Sequence, residues 1–202
     1  MKLAIFTSNS LRHKFLANSL AQHVDDALTI VECRENDELN FSYGDNESII
    51  SHFRKRYETE KKFFGNNYEF ISKNIPILHK EVNSNFIFQK IKNYDPDIMV
   101  VFGASIIKDP LLSLGKRNRF LNLHLGLSPY YKGNATNFWP FINNELEFLG
   151  STVLHIDPGI DTGDIITHVK PKIEVGDNVH TTGCKIIQQS VEKIKDVLDV
   201  IK

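Results

Sequence analysis

A chain of 202 residues, 41% hydrophobic and 24% charged, has a globular composition and is long enough to bury about 70% of its unfolded surface without a disulfide or metal. Its 24 basic residues against 25 acidic give a net charge of −1, which removes the overall basic excess of a nucleic-acid binder and leaves only local clusters at 52–57 and 115–119. Cys33 and Cys184 form no CxxC pair and no apolar run approaches the ~20 residues of a membrane helix, so a cytoplasmic protein without a membrane partner is expected.

In chain order, residues 2–6 read as a short buried strand, broken by a polar turn at 7–10. Leu11, Phe15, Leu16, Leu20 and Val24 then recur at helical spacing, with Ser10 as N-cap. Ser8, Asn9 and Arg12 at this helix start suit ordinary capping, or recognition of a phosphate or carboxylate by free N–H groups; the glycine-rich form that would make the second specific is missing. A second strand is expected over 28–33, then a polar stretch over 34–46. The helix after it carries Ile49, Ile50, Phe53, Tyr57 and Phe64 on one side and a solvated face of Arg54, Lys55, Glu58, Lys61 and Lys62 on the other. A third helix with Ile87, Ile91 and Tyr94 ends before Asp95 and Pro96, because a residue preceding proline disfavours the α region. The unbroken apolar run 97–102 suits a strand covered on both faces, closed by Gly103. Further strands are expected over 120–125, 151–156 and 164–169. An amphipathic helix over about 184–201 carries Ile187, Val191, Ile194, Leu198 and Ile201. The alternation predicts a single α/β domain spanning 1–202, with a mainly parallel sheet, helices on both faces, and ligands beyond the carboxyl ends of the strands.

Two segments carry chemistry. Along a strand side chains alternate, so Asn122 and His124 share one face while Leu121, Leu123 and Leu125 share the other. An amide and an imidazole aimed the same way either cap the following loop or serve a reaction, since burying both unpartnered costs free energy. Downstream, residues 150–165 read as strand, tight loop and strand, with Asp157, Asp161 and Asp164 in or beside the loop. A carboxylate from that loop reaching His124 would fix its tautomer for acid/base work; turn formation is the alternative, favoured for Asp157 and Asp164.

Asn-Leu-His at 122–124 followed by Pro129 and Gly133, then Asp-Pro-Gly-Ile-Asp-Thr-Gly at 157–163, resembles the formyltransferase family, whose motifs are Asn-x-His with a downstream Pro and Gly and a later Asp-x-Gly. The resemblance covers Asp97 to Val169 and implies a Rossmann-like fold with 10-formyltetrahydrofolate as cosubstrate and no metal. It implies that Asn122 donates to the formyl oxygen, that His124 polarises the same centre and moves a proton to the folate nitrogen, and that Asp161 holds His124 charged and oriented and takes the amine's proton. It places the folate ring against two backbone loops, matched here by Phe102, Gly103, Ala104 and Ile106, and by Asp157, Gly159 and Gly163. The stretch 130–139 would border the acceptor amine, with Tyr130, Lys132 and Asn134 as substrate contacts and Phe138 and Trp139 as core.

The chain departs from the family pattern at Gly126, where serine is usual, and at Ser128, where leucine usually precedes the proline. His155 stands six residues before Asp161 rather than seven, which puts it on the other side of its strand in a structural role. The long C-terminal domain of the tRNA-modifying members has no counterpart before Lys202. These features imply transfer to a small-molecule amine, first an amino sugar nucleotide, in a chain acting alone or as a homodimer and without nucleic acid. The alternatives are a formyltetrahydrofolate hydrolase and a glycinamide ribonucleotide-type transformylase. A metal site at His124, His155, Asp157, Asp161 and His168 lacks ligand spacing and leaves Asn122 idle.

Overall fold

The computed structural model describes residues 1–34, 46–65, 67–115 and 119–201; most of the polar stretch after Cys33 and of the basic cluster at 115–119 lies outside them. Among the described residues seven strands form one sheet: β1 (Lys2–Ser8), β2 (Asp26–Cys33), β3 (Lys73–Leu78), β4 (Ile98–Phe102), β5 (Phe120–His124), β6 (Ser151–His155) and β7 (Ile165–Val169). Their order is β3-β2-β1-β4-β5-β6-β7. The first five are mutually parallel, while β6 runs antiparallel to β5 and β7. The sheet grows outward in both directions from β1 and β4, so their carboxyl ends form the switch point at which such sheets open a crevice.

Among the described residues five α-helices flank the strands: α1 (Leu11–Ala21), α2 (Glu47–Phe64), α3 (Asn85–Tyr94), the single turn α4 (Trp139–Ile142) and α5 (Val179–Ile201). The alternation of side chains along the strands divides the core into two layers. Leu3, Ile5, Val100, Leu121 and Leu123 pack against Leu16 and Leu20 of α1, Phe64 of α2, and Cys184, Ile187 and Val191 of α5. Ala4, Phe6, Met99, Val101 and Phe120 pack on the opposite face against Ile87 and Ile91 of α3, with Ile107 and Leu111. Every residue of β4 is buried, as its unbroken apolar run requires.

Several sequence expectations are corrected. β3 is not among the strands expected from the sequence; its Pro76 is tolerated at a sheet edge, where fewer ladder donors are needed. Ser10 occupies the N-cap position of α1 but makes no side-chain capping bond, whereas Asn46 and Ser84 cap α2 and α3 by accepting from Ile49 N and Ile87 N. The C-terminal helix starts at Val179 rather than near 184, since Asn178 Oδ1 caps its first turn by accepting from His180 N and Thr181 N. Trp139 is 48% exposed and does not belong to the core. No helix among the described residues is long and apolar enough to cross a membrane.

Candidate functional site

A cavity of about 1350 Å³ opens at the carboxyl ends of β4 and β5. Its lining takes Leu123, Cys184 and Ile187 from one core layer and Val101 and Ile107 from the other, so it passes over the strand ends from one sheet face to the other.

Asn122 and His124 enter the cavity from the same face of β5. Asp161 reaches them from the loop after β6, where its backbone takes φ +51, unusual for a residue with a side chain. One oxygen of its carboxylate accepts from Asn122 Nδ2 at 2.9 Å; the other accepts from Gly133 N at 3.0 Å and lies 3.2 Å from His124 Nδ1. His124 is buried, and its Nε2 donates to the Tyr131 carbonyl at 2.8 Å. A carbonyl only accepts, so Nε2 carries a hydrogen, and the ring satisfies both neighbours fully with hydrogens on both nitrogens. The left-handed backbone of Asp161 is thus held by three contacts of its carboxylate. Gly126, one of the departures from the family pattern, has a local reason: a Cβ there would stand 2.4 Å from His124 Nε2 and 2.5 Å from the Tyr131 oxygen.

Two loops wall the cavity on this side. Phe102, Gly103, Ala104 and Ile106 all line it. Gly103 has φ +76 and lies so close to His13 that a Cβ would meet the imidazole at 2.3 Å. The loop is pinned from behind by Glu32, a fully buried carboxylate that accepts from Ser105 N at 2.8 Å and Lys80 N at 3.0 Å. Asn83 adds a bracket, accepting from Lys108 N at 2.7 Å and donating to the Ile106 carbonyl at 2.8 Å. In the second loop Asp157, Gly159, Ile160 and Asp161 line the cavity but Gly163 does not; its Cβ position falls 1.9 Å from the His155 carbonyl. Asp157 holds its own turn, accepting from Gly159 N and Thr162 Oγ1. Ile106 and Ile160, 54% and 57% exposed, leave apolar surface on the walls, which suits a flat ring recognised through backbone groups.

The expected substrate contacts divide. Asn134 lines the cavity and Tyr130 and Lys132 do not; Tyr130 is 64% exposed and packs on Phe148, ring centroids 4.5 Å apart. The turn before α1 spends its side chains inside the protein: Ser8 Oγ lies 2.5 Å from His13 Nδ1, and Asn9 holds the backbone of Arg34 through both amide atoms. Arg12 lines the cavity, paired with the buried Glu60 at 2.5 Å. His155 stays out of the cavity, with Leu154 and Ile156 lining it on either side. Among the described residues no group of three or more His, Cys, Asp and Glu side chains is placed to hold a metal ion.

The sequence reading missed the wall contributed by α2 and α5. His52, Arg56 and Glu60 line the cavity from α2, and His180 and Gly183 from α5. The His52 and His180 rings are 4.8 Å apart. Burial, then the charges of His52, Arg56 and Lys55, push His180 down to about 4. His52 is lowered by burial and Arg56, and His13 well below the usual value by burial and by Arg12, Arg34 and Arg56. No spacing rule links 52 to 180; only the helical period of α2, which places 52, 56 and 60 in a line, was available from sequence.

Comparison with known proteins gives consistent results. The family model described as "Formyl transferase" matches residues 2–198. The chain is similar to methionyl-tRNA formyltransferase of Clostridioides difficile (strain 630), 35% identical over 136 residues that cover 65% of this chain and 43% of that one. It thus spans less than half the length of that curated relative. Among solved structures, it is similar in fold to phosphoribosylglycinamide formyltransferase from Anaplasma phagocytophilum, with TM-score 0.68 at 14% identity over 100% of this chain and 86% of that one. It is also similar to the formyltransferase PseJ from Anoxybacillus kamchatkensis, solved with UDP-4,6-dideoxy-4-formamido-L-AltNAc and tetrahydrofolate, with TM-score 0.54 at 18% identity over 100% and 76% of the two chains.

Proposed function

The chain belongs to the formyl transferase family, and from that premise we propose that it moves a formyl group from 10-formyltetrahydrofolate to the primary amine of a small substrate, an amino sugar nucleotide first among them. Asn122, His124 and Asp161 are its catalytic residues in this reading. The folate, when bound, supplies an electrophilic formyl carbon on a nitrogen leaving group. The loops at 102–107 and 157–161 hold its ring. Asn122 commits one Nδ2 hydrogen to Asp161 and keeps the second for the formyl oxygen as negative charge builds there, a contribution of about 10²–10³ in rate for one such donor. Asp161 takes the proton that the attacking amine loses, directly or through one water. His124 gives its Nδ1 proton to the folate nitrogen as the bond to the formyl carbon breaks, Nε2 staying on the Tyr131 carbonyl, and Asp161, 3.2 Å from Nδ1, passes to it the proton taken from the amine, so that both groups return to their starting states.

The observation that carries this reading is a single carboxylate in contact with both the amide and the imidazole at the mouth of a cavity large enough for two substrates. The curated relatives named methionyl-tRNA formyltransferase favour a second reading, transfer to the α-amine of methionyl-tRNA. The test is to incubate the protein with 10-formyltetrahydrofolate and, separately, an amino sugar nucleotide, glycinamide ribonucleotide, methionyl-tRNA or water alone, following folate absorbance. Turnover with the sugar nucleotide far above the water rate is expected. Equal rates with and without any amine would replace transfer by hydrolysis.

A further inference from the structure

The segment that follows β4 is held by two side chains from the end of β2, and the triad uses neither. Arg34 Nη2 donates to the Gly103 carbonyl at 3.2 Å, and one oxygen of Glu32 accepts from Ser105 N at 2.8 Å. Guanidinium and carboxylate lie 3.6 Å apart. Both are themselves anchored. Asn9, in the turn before α1, accepts from Arg34 N at 3.2 Å and donates to the Arg34 carbonyl at 3.1 Å. Glu32 is fully buried; its other oxygen accepts from Lys80 N at 3.0 Å, and His79 Nδ1 lies 3.7 Å from the carboxylate.

What this clamp does follows from the planarity of the peptide bond. The peptides on either side of Ala104 are both trans, so in each plane the C=O and the N–H point in opposite directions. Arg34 takes the carbonyl of the first plane and Glu32 takes the N–H of the second. The groups left over are the N–H and the C=O of Ala104 itself, both turned away from the Arg34–Glu32 pair. Among the described residues neither has a hydrogen-bond partner. Ala104 lines the cavity, so one residue offers a free donor and a free acceptor side by side, behind nothing larger than a methyl group. Backbone groups of this kind call for a partner, and here the partner has to come from the cavity.

We propose that Glu32 and Arg34 are positioning residues for the folate: they fix the two peptide planes around Ala104 so that its N–H and C=O meet an adjacent acceptor and donor on the edge of the pterin ring. The proposal deepens the formyl-transfer reading and rests on it for the identity of the ring. The pair acts through the backbone and not on the ring. A loop free to turn either plane would have to be ordered as the ligand bound, and that cost would be taken from affinity. The clamp orders it beforehand. Both ties are charge-assisted and so stronger than neutral ones. The Glu32 tie is also shielded from water, so the Ser105 N–H finds no ready substitute when the carboxylate is lost. Asn9 serves the same end by seating Arg34 and does so from inside the protein.

The probe is 5-formyltetrahydrofolate, titrated by calorimetry into the intact chain and its variants, beside amide hydrogen exchange and turnover. Glu32→Gln keeps the shape, drops the charge and turns an NH2 towards one of the two amides; Arg34→Ala releases the Gly103 carbonyl. Each should weaken the probe about tenfold and raise KM for the formyl-folate to match. In both, kcat at saturating folate and KM for the amine should stay within about twofold, since the loss is one of folate binding alone. The double variant should cost no more than the worse single one, because both ties hold one segment. In the free chain the Ser105 N–H should exchange slowly and become fast in Glu32→Gln, while the Ala104 N–H should gain protection only with the probe bound. The Arg34 side chain is 41% exposed, so Arg34→Ala carries the test even where Glu32→Gln fails to fold. Unchanged probe affinity in the variants, losses that add in the double variant, which would put Arg34 on the ligand itself, or a joint fall in kcat and in affinity for both substrates would each overturn the proposal. A wild-type chain that binds no folate would refute the folate reading, and this proposal with it, whatever the variants do.

Discussion

Replacing Gly126 by alanine tests the site through one methyl group. The added carbon would stand 2.4 Å from His124 Nε2, 2.5 Å from the Tyr131 oxygen and 2.6 Å from Thr136 Cβ. A normal contact is about 3.5 Å, so the imidazole or the Tyr131 segment has to retreat by about 1 Å. Neither is a loose end. His124 is tied to Asp161 and Tyr131, and Thr136 donates to the Leu125 carbonyl. Misplacement of a catalytic group by this much costs about 10²-fold in rate, and overpacking of this kind about 1–3 kcal/mol. At this chain length each kcal/mol lowers Tm by roughly 2–4 °C. The assay is kcat, KM and Tm for Gly126→Ala beside Gly176→Ala. Gly176, unlike Gly126, has positive φ, but nothing lies within 4 Å of its missing Cβ and it lies outside the cavity; its variant should lose Tm and keep kcat. If Gly126→Ala turned over at nearly the wild-type rate, the His124–Tyr131 contact would have no part in catalysis and the argument would fail.

Asn122→Ala should lower kcat by about 10²–10³ with little change in folate affinity, because the donor acts chiefly on charge that appears in the transition state; a loss confined to KM speaks against that role. Glu60→Ala removes a buried carboxylate 2.5 Å from Arg12 and 3.9 Å from Arg56, and breaking such a pair costs about 3–5 kcal/mol, to be read from urea unfolding; a cost under about 1 kcal/mol would show that solvent replaces the ion pair. The pH dependence of stability follows from the imidazoles. His180 is held near 4 against an ordinary 6.5, and His52 and His13 are lowered too. Below 6.5 the unfolded chain binds protons that the folded chain refuses, so stability falls as pH drops below about 6.5, and the His180 share of that loss levels off below about 4. His180→Gln should flatten that slope, and an unchanged Tm–pH curve in the variant would remove His180 from the account.

The sheet was legible where the hydrophobic pattern had one reading. β4 is apolar throughout because both faces are covered, and α3 stops at Asp95 because a proline follows. β3 was not legible, since its edge position, which makes Pro76 tolerable, belongs to the finished sheet and not to the segment. The same division runs through the site. Asn122 and His124 share a face by the period of a strand, and that period is local. The Glu32 carboxylate behind the Ser105 amide, the Tyr131 carbonyl on His124, and the meeting of His52 with His180 all depend on chain separations that no local rule spans.

Asp161 shows why a short motif nonetheless carried so much. The carboxylate that reaches the amide and the imidazole of β5 sits on a backbone at φ +51, a region that Asp enters more readily than most residues with a side chain. The neighbouring residues build the loop around it. Asp157 ties down Gly159 and Thr162, and Gly163 lets the chain pass close to the His155 carbonyl, where a Cβ would stand 1.9 Å away. The run 157–163 is thus a set of instructions for building one loop, and the loop's product is the position of one carboxylate. Arg56, His180 and Gly183, which line the same cavity from α2 and α5, lie outside any sequence pattern that the loop defines.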